Sequence, residues 1–321
     1  MDIKGKFFPV GHGLTYAFKI DDVHVLFDIN RKCNLKDLNQ FFGDQNIDFM
    51  ILSHLHNDHI NGLKKLSKVG FSINKIYIPY LDIDEQYLVE LQFLIKTRQY
   101  QSYPEILENI RNAAAEMIEV EEYMSIKVPI WQFNIHQSRG NTSQMVNDIK
   151  NALKKIGINN NNDLKAYIQK KGISDIKNTY QKIMNKFNAN HNQTSIFLEH
   201  GPIVEKELSV SYDGLEFLSL KHQVDKSMKT HSLITGDMKL LNNKSIIDDY
   251  CDKLGFVLVP HHSGECEWND FICKKSHFII WIVTIAQIGA RPYGKVVQDI
   301  YNHNHELYIC DKKYSFEYEF F

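Results

Sequence analysis

The chain has 321 residues, of which 43% are hydrophobic and 24% are charged, and its formal net charge is −2. This composition is typical of a globular protein with a large core, and the near-neutral charge excludes an overall attraction to nucleic acid or membranes. The longest apolar run, 278–286, is too short to span a bilayer, and no apolar signal-peptide core follows Met1. Five scattered cysteines without C-x-x-C spacing predict a reducing compartment, the cytoplasm, and no thiolate metal site.

The first part of the chain predicts strands. Segments 6–10, 15–20 and 23–28 are short, β-branched or aromatic, and separated by Gly or Asp-Asp turns. The continuous apolar run 47–52 predicts a strand that is buried on both faces. It leads directly into a histidine-rich segment. A helix is predicted at 60–69 and a further strand at 75–79.

Helical spacing dominates from 82 to 189. We predict helices at 85–98, 104–118, 143–156, 164–171 and 173–187, interrupted by one strand-like segment at 125–135. We therefore expect a helical insert, 82–189, within a single domain, 1–321. The insert either caps the functional site or mediates dimerisation.

Charge divides this insert. Residues 82–123 contain ten acidic and three basic side chains, whereas 136–190 contain ten basic and three acidic ones. The basic part is either an arm for a polyanion or, as we prefer, a structural feature. In that case the two oppositely charged helical segments lie side by side, or their charges simply form solvated faces.

Strand patterns return after residue 190. They are separated in places by helical stretches at 244–253 and 293–302. We predict strands at 195–199, 215–220, 232–235, 255–259, 278–286, 306–310 and 314–320.

The segment 53–59, Ser-His-Leu-His-Asn-Asp-His, carries the strongest chemical signal. His54, His56, Asp58 and His59 follow a buried strand, where a tight turn projects several side chains into one small volume. Imidazole and carboxylate are natural ligands of divalent metals such as zinc. One metal does not readily use all four groups, so the spacing indicates two metals close together.

This run resembles the H-x-H-x-D-H signature of the metallo-β-lactamase superfamily. Segment 233–237, Leu-Ile-Thr-Gly-Asp, resembles the strand end whose carboxylate bridges two metals, and 257–264 resembles the strand-end histidine motif in a double-histidine form. Segments 11–13 and 26–28 resemble the family's opening hairpin. The resemblance implies an α/β fold, a four-layer αβ/βα sandwich with metals at the rim where strand ends converge.

The resemblance also implies roles for individual residues. His54, His56 and His59 would be metal ligands, Asp58 would bind the second metal and orient the attacking water, and Asp237 would bridge. His261 would be a ligand. His262 would donate a hydrogen bond to substrate or to a carboxylate behind the ligands.

Three further positions are open. His191 lies four residues before a serine, where many family members have another histidine ligand, so it is either a ligand or a loop residue. His12, in a glycine-flanked turn, is either solvated or near the mouth of the site. Arg291-Pro292 stands where the family often has His-Pro, so Arg291 either contacts phosphate or is structural.

The double histidine, with Asn192 and Ser195 ahead of a strand, is similar to the hydrolase domain of the competence DNA-uptake channel protein, the ComEC type. That domain is thought to act as a nuclease, and this chain lacks the channel part. The resemblance implies two divalent metal ions, with zinc preferred and manganese or iron as alternatives, and a phosphodiesterase or nuclease activity.

Two other functions remain as alternatives. One is hydrolysis of another bond, such as a thioester, a lactone or another carbonyl. The other is a catalytically silent binding protein that has kept the fold. For partners, we expect a nucleic acid or nucleotide substrate and no membrane, with a homo-oligomer or an operon-encoded protein partner left open.

Overall fold

The structure is a computed structural model that describes residues 2–11, 13–139, 142–187, 194–204, 208–216, 220–264, 267–285, 292 and 294–321. The side chains of residues 58, 161, 208–209 and 220–227 are outside this description. None of the described helices combines the length and apolarity needed to cross a bilayer.

The first half of the sheet has the strand order β6-β5-β4-β3-β2-β1. Its opening strands β1 to β3 are antiparallel, and β3 to β6 are parallel. These strands are β1 (Ile3–Phe7), β2 (Tyr16–Ile20), β3 (Val23–Phe27), β4 (Asn46–Ile51), β5 (Ser72–Pro79) and β6 (Glu116–Val120).

The second half continues from β1 in the order β16-β10-β15-β14-β13-β12-β9-β8-β7, with β11 paired to β10. Strands β12 to β15 are parallel. The strands are β7 (Tyr123–Val128), β8 (Trp131–Ser138), β9 (Ser195–Pro202), β10 (Leu208–Glu216), β11 (Leu220–Met228), β12 (His231–Ile234), β13 (Leu254–Leu258), β14 (Ile280–Thr284), β15 (Glu306–Cys310) and β16 (Phe316–Phe320).

Helices cover the outer faces of both halves. In the described residues they are α1 (Leu35–Phe42), α2 (Asn57–Ile60), α3 (Leu63–Lys68), α4 (Ile83–Thr97), α5 (Tyr103–Arg111), α6 (Ser143–Lys154), α7 (Asn161–Lys171), α8 (Ser174–Lys186), α9 (Lys244–Asp248), α10 (Phe271–Lys275) and α11 (Gly294–Asn302).

Three cores separate the layers. Between the two sheet halves, the Phe133 ring lies 5.8 Å from Phe18 and 5.0 Å from Phe49, centroid to centroid. Helices α1, α3 and α5 pack on the outer face of the first half, and α9, α10 and α11 pack on the outer face of the second. The layers are therefore helix, sheet, sheet, helix, and the predicted fold class is confirmed.

The segment 82–189 is not continuously helical. The helix predicted at 104–118 ends at Arg111, and the chain then forms β6, in which Ile118 pairs with Tyr77 of β5. The strand predicted at 125–135 is a hairpin of two strands, β7 and β8, joined at Pro129 and Ile130. Pairing with the main sheet overrides the apparent helical spacing. Within this segment of the chain, α4 and α5 therefore precede three strands of the sandwich, and α6 to α8 follow them.

These helices have a core of their own. Leu91 of α4, Val146 and Ile149 of α6 and Tyr180 of α8 are buried together. Lys150 Nζ lies 3.2 Å from Asp84 Oδ1, so the basic segment packs beside the acidic one here. This contact fits the side-by-side arrangement of the two charged segments.

Two other elements differ from the sequence prediction. The strand predicted at 215–220 falls where β10 ends at Glu216 and β11 begins at Leu220. The helix predicted at 60–69 is divided into α2 and α3 at Gly62, whose backbone N–H donates to Ile29 O at 3.1 Å. A Cβ at Gly62 would lie 2.5 Å from Ile29 Cγ1 and 2.9 Å from Ile29 O, so only glycine allows this approach.

We expect Gly62→Ala to lower the free energy of unfolding by about 1–3 kcal/mol, because the added methyl overlaps a backbone carbonyl. Gly294→Ala is the control, since a Cβ there meets no described atom within 4 Å. Urea unfolding of both variants measures the difference. Equal midpoints would show that the close approach at Gly62 is not a constraint.

Candidate metal centre

The candidate site lies where strands of both sheet halves end. His54, His56 and His59 follow β4, Asp237 follows β12, and His261 follows β13. Parallel strands place their carboxyl ends at one edge of a sheet, which brings these side chains together. The two halves join here, since Ile196 N of β9 donates to Ser53 O at 2.6 Å.

One carboxylate oxygen lies among three imidazoles. Asp237 Oδ2 is 3.7 Å from His54 Nε2, 4.0 Å from His59 Nε2 and 3.9 Å from His261 Nε2. His54, His59 and Asp237 are buried, whereas the His261 side chain is 26% exposed. The structure thus brings together four of the predicted metal ligands, with His261 on the solvent side.

The other predicted residues have different standings. The half-buried His56 ring lies 4.5 Å from the His54 ring, nearly perpendicular to it. The Asp58 backbone belongs to α2, but its side chain is outside the described part of the chain, as are His191, His12 and Arg291. Their predicted roles stay predictions.

The residues present fit a divalent metal. His54 Nε2 is buried and has no hydrogen-bond partner among the described residues. Burying a polar atom in this way costs free energy unless a ligand accepts its lone pair. One ligand atom from each of His54, His59 and Asp237 lies within 4.8 Å of the others. Tetrahedral zinc bonds of about 2.0–2.2 Å place ligand atoms roughly 3.3–3.6 Å apart. Small movements of the side chains would therefore complete such a site.

The charge states suit metal binding. Burial holds the pKa of the His54 imidazole well below its usual value of 6.5, and His59 and His56 lower it further. A neutral imidazole keeps the lone pair that a metal requires. His54 is therefore ready to bind a cation without first losing a proton.

Asp28, at the end of β3, orients two of these histidines. Its Oδ1 accepts from Ser53 N at 2.7 Å, and its Oδ2 accepts from Ser53 Oγ at 2.6 Å and lies 2.6 Å from His59 Nδ1. His59 Nδ1–H therefore donates to Asp28, which leaves the lone pair on Nε2. Burial raises the pKa of the Asp28 carboxyl, while His59 and Ser53 act in the opposite direction.

Ser53 extends this network to His54. Because its hydroxyl proton goes to Asp28, Ser53 Oγ accepts from His54 Nδ1–H, at 2.9 Å. The hydrogen bond fixes the tautomer of His54 that has its lone pair on Nε2, as a ligand needs. Ser53 and Asp28 lie in the segments 53–59 and 26–28, but neither residue was predicted to have a role of its own. A serine directly before the first histidine and an aspartate at a strand end were the available signals.

A second carboxylate stands behind His261. Glu267 Oε2 lies 3.3 Å from His261 Nδ1, and the Glu267 residue is 3% exposed. Metal-binding histidines commonly direct their second nitrogen at a carboxylate, which orients the ring. Glu267 was also missed, because it lies six positions after His261 and no sequence pattern links the two.

His262 has a different environment from His261. Its Nδ1 lies 2.7 Å from Thr284 O, so Nδ1–H donates to that carbonyl, and Nε2 accepts from Gly13 N at 3.4 Å. Burial lowers the pKa of His262 to about 4, although Asp237 acts in the opposite direction. The ring thus connects the end of β14 to Gly13. Its predicted contact with substrate stays a prediction.

The first turns of α4 lie beside the segment that carries His54 and His56. Glu85, Leu88 and Val89 line a pocket together with His54 and His56. The helical part of the chain therefore contributes one wall of the site. Whether the insert caps the site or mediates dimerisation stays a prediction.

Comparisons with known proteins give structural similarities only. No protein-family model and no curated protein sequence matches the chain. Among solved structures, it is similar to the metallo-β-lactamase fold protein YhfI from Bacillus subtilis, with a TM-score of 0.49, 12% identity and coverage of 99% of this chain and 100% of that one.

Two further solved structures are similar. A diphosphatase from the PhnP family has a TM-score of 0.47, 11% identity and coverage of 100% of this chain and 99% of that one. The long form of RNase Z from yeast has a TM-score of 0.41, 10% identity and coverage of 93% of this chain and 38% of that one. The architecture itself is established by the strand pairing and layer cores, and the narrower competence-protein resemblance stays a prediction.

We expect Asp28→Asn to weaken zinc binding by about 10–100-fold, because His59 loses its carboxylate acceptor and the Ser53 hydroxyl that orients His54 loses its own. Competition with a chromogenic chelator measures the affinity, and thermal unfolding shows whether the variant folds. Asp22→Asn, at an exposed position, is the matched control. An unchanged affinity in a folded Asp28→Asn variant would remove Asp28 from the site.

Proposed function

We propose that this protein is a metal-dependent hydrolase that cleaves a phosphodiester in a nucleic acid or nucleotide, using two divalent metal ions. The observation that supports it most directly is the Asp237 carboxylate oxygen within 4.0 Å of three imidazole nitrogens. Such a donor set suits zinc, and also manganese or iron.

The number of donors favours two metals. A tetrahedral zinc takes four ligands. The sequence offers seven candidate ligands, and four of them meet in the described structure. The candidates are His54, His56, Asp58, His59, His191, Asp237 and His261.

The chain's own residues prepare the site for this chemistry. Divalent metals supply Lewis acidity, which stabilises negative charge and makes water a nucleophile near neutral pH. Asp28 and Ser53 hold His59 and His54 in the tautomers that bind a cation. His261 lies on the solvent side, where substrate enters, and Glu267 supports its ring.

One positive side chain that acts on the pocket, and another close to Asp237 in the sequence, favour a phosphodiester over a carbonyl substrate. Arg139 follows β8 and stacks on Tyr80, 5.4 Å from the ring centroid, and its charge acts on Glu85 in the pocket. Lys239 follows Asp237 by two residues and is half-buried. Cations of this kind bind and neutralise phosphate oxygens, whereas a thioester or lactone carries no such charge.

We expect the zinc- or manganese-loaded protein to cleave bis(4-nitrophenyl) phosphate, and His54→Gln to lower kcat/KM by at least ~100-fold because a ligand is lost. Metal content by mass spectrometry should fall in the same variant. His277→Gln, an exposed histidine outside the site, is the control for both measurements.

Four other results would contradict the proposal or its ligand assignment. Hydrolysis of acyl thioesters or lactones alone would favour the carbonyl hydrolase. A metal-loaded protein without any hydrolysis, or a protein that stays metal-free after zinc and manganese are supplied, would favour a binding protein. Full activity in His54→Gln would exclude His54 as a ligand.

A further inference from the structure

A second pocket, separate from the metal-binding residues, lies among α2, α3, α4 and α5. It holds about 210 Å³ of space, which is room for several water molecules, whereas the gap beside His54 and His56 holds only about 30 Å³. Lys64 and Gln99 line it and are exposed, so its rim is open to solvent. A small planar ring system can therefore enter it.

The inner surface of this second pocket is apolar and includes an aromatic ring. Ile60, Leu63 and Ile110 line the pocket and are buried. Phe93 of α4 lines it as well and is half-buried. Aromatic side chains of this kind are the surfaces on which unpaired nucleic-acid bases stack. The inner surface therefore suits the flat face of a heteroaromatic ring.

The polar groups of the second pocket are mainly side-chain amides. Those of Asn57, Gln99 and Gln101 make no hydrogen bond with the other described residues, so they are available to a ligand. An amide has a donor and an acceptor side by side, which matches the polar edge of a base such as adenine. None of the described lining residues is acidic, and Lys64 is the one cation among them. The polar groups therefore suit an uncharged ring with donors and acceptors at its edge.

The second pocket also adjoins the candidate metal centre. Asn57, which lines it, directly follows His56 in the chain. On α4, Val89 lines the gap beside His56, and Phe93, four residues later, lines the second pocket. Residues four apart share one face of a helix, about 6 Å apart along its axis. The second pocket thus neighbours the place where the proposed function puts the phosphate.

We propose that the second pocket is a nucleobase subsite, in which a base of the substrate stacks on Phe93 and its polar edge pairs with the side-chain amides. The substrate is then a nucleotide or a nucleic acid whose base is recognised, and not a phosphodiester of any other kind. Phe93 acts here as a specificity-determining residue. The inference rests on the proposed function, because a phosphate at the metal centre brings the attached nucleoside to this side of α2.

Adenosine tests the second pocket by itself, because it has a base but no phosphate for the metal centre. The test compares the binding of adenosine and of ribose to the zinc-loaded protein, by saturation-transfer NMR titration. We expect adenosine to bind at least about tenfold more tightly, as the stacking of one base on an aromatic side chain provides. Equal binding of the two, or no binding of adenosine, would overturn the inference.

Phe93→Leu then tests the location. Leucine keeps an apolar contact with the outer core but lacks the ring, so the preference for adenosine over ribose should fall to about threefold or less. Phe41→Leu is the matched control, since Phe41 is also half-buried against this core but lies on α1, and it should keep the full preference. An unchanged preference in a folded Phe93→Leu variant would exclude the second pocket as the site.

Failure of this inference is distinguishable from failure of the proposed function. Cleavage of bis(4-nitrophenyl) phosphate, which has no nucleobase, without binding of adenosine overturns the base subsite alone. Binding of adenosine that depends on Phe93, without phosphodiester cleavage, supports the subsite and contradicts the phosphodiesterase.

Discussion

The site depends on one buried carboxylate, Asp28, and on the hydrogen bonds that this carboxylate accepts. A buried anion without partners is strongly unfavourable, and Asp28 is stabilised by Ser53 and His59. The same hydrogen bonds determine which nitrogen of His54 and His59 carries the proton. The same hydrogen bonds therefore stabilise the buried charge of Asp28 and orient the two candidate ligands His54 and His59.

Close contact between the two sheet halves is the second requirement. Gly236 immediately precedes Asp237, and a Cβ there would lie 3.0 Å from Ser53 Cβ and 3.2 Å from Ser195 Oγ. Its φ of +55° is also unfavourable for other residues. The end of β12 can thus approach the end of β4 only with glycine at this position. The metal-binding residues meet because the sandwich is closed at this edge.

The sequence was informative where the chemistry is local. His54, His56 and His59 lie within six residues after one strand, so their convergence needs little knowledge of the fold. Asp28 and Glu267 act through contacts that only the assembled structure creates. The same holds for β6, whose residues have helical spacing but pair with β5. Tertiary pairing, which local patterns do not encode, decided that element.

Helix α4 links the insert to the site because its neighbouring residues belong to different cores. Val89 packs with the outer core of the first sheet half, whereas Leu88 and Leu91 pack with the insert helices. Glu85, three residues before Leu88, also lines the pocket beside His54 and His56. It accepts a hydrogen bond from Thr194, which directly precedes β9. A change in how the insert packs would therefore reshape the pocket while the metal-binding residues keep their places.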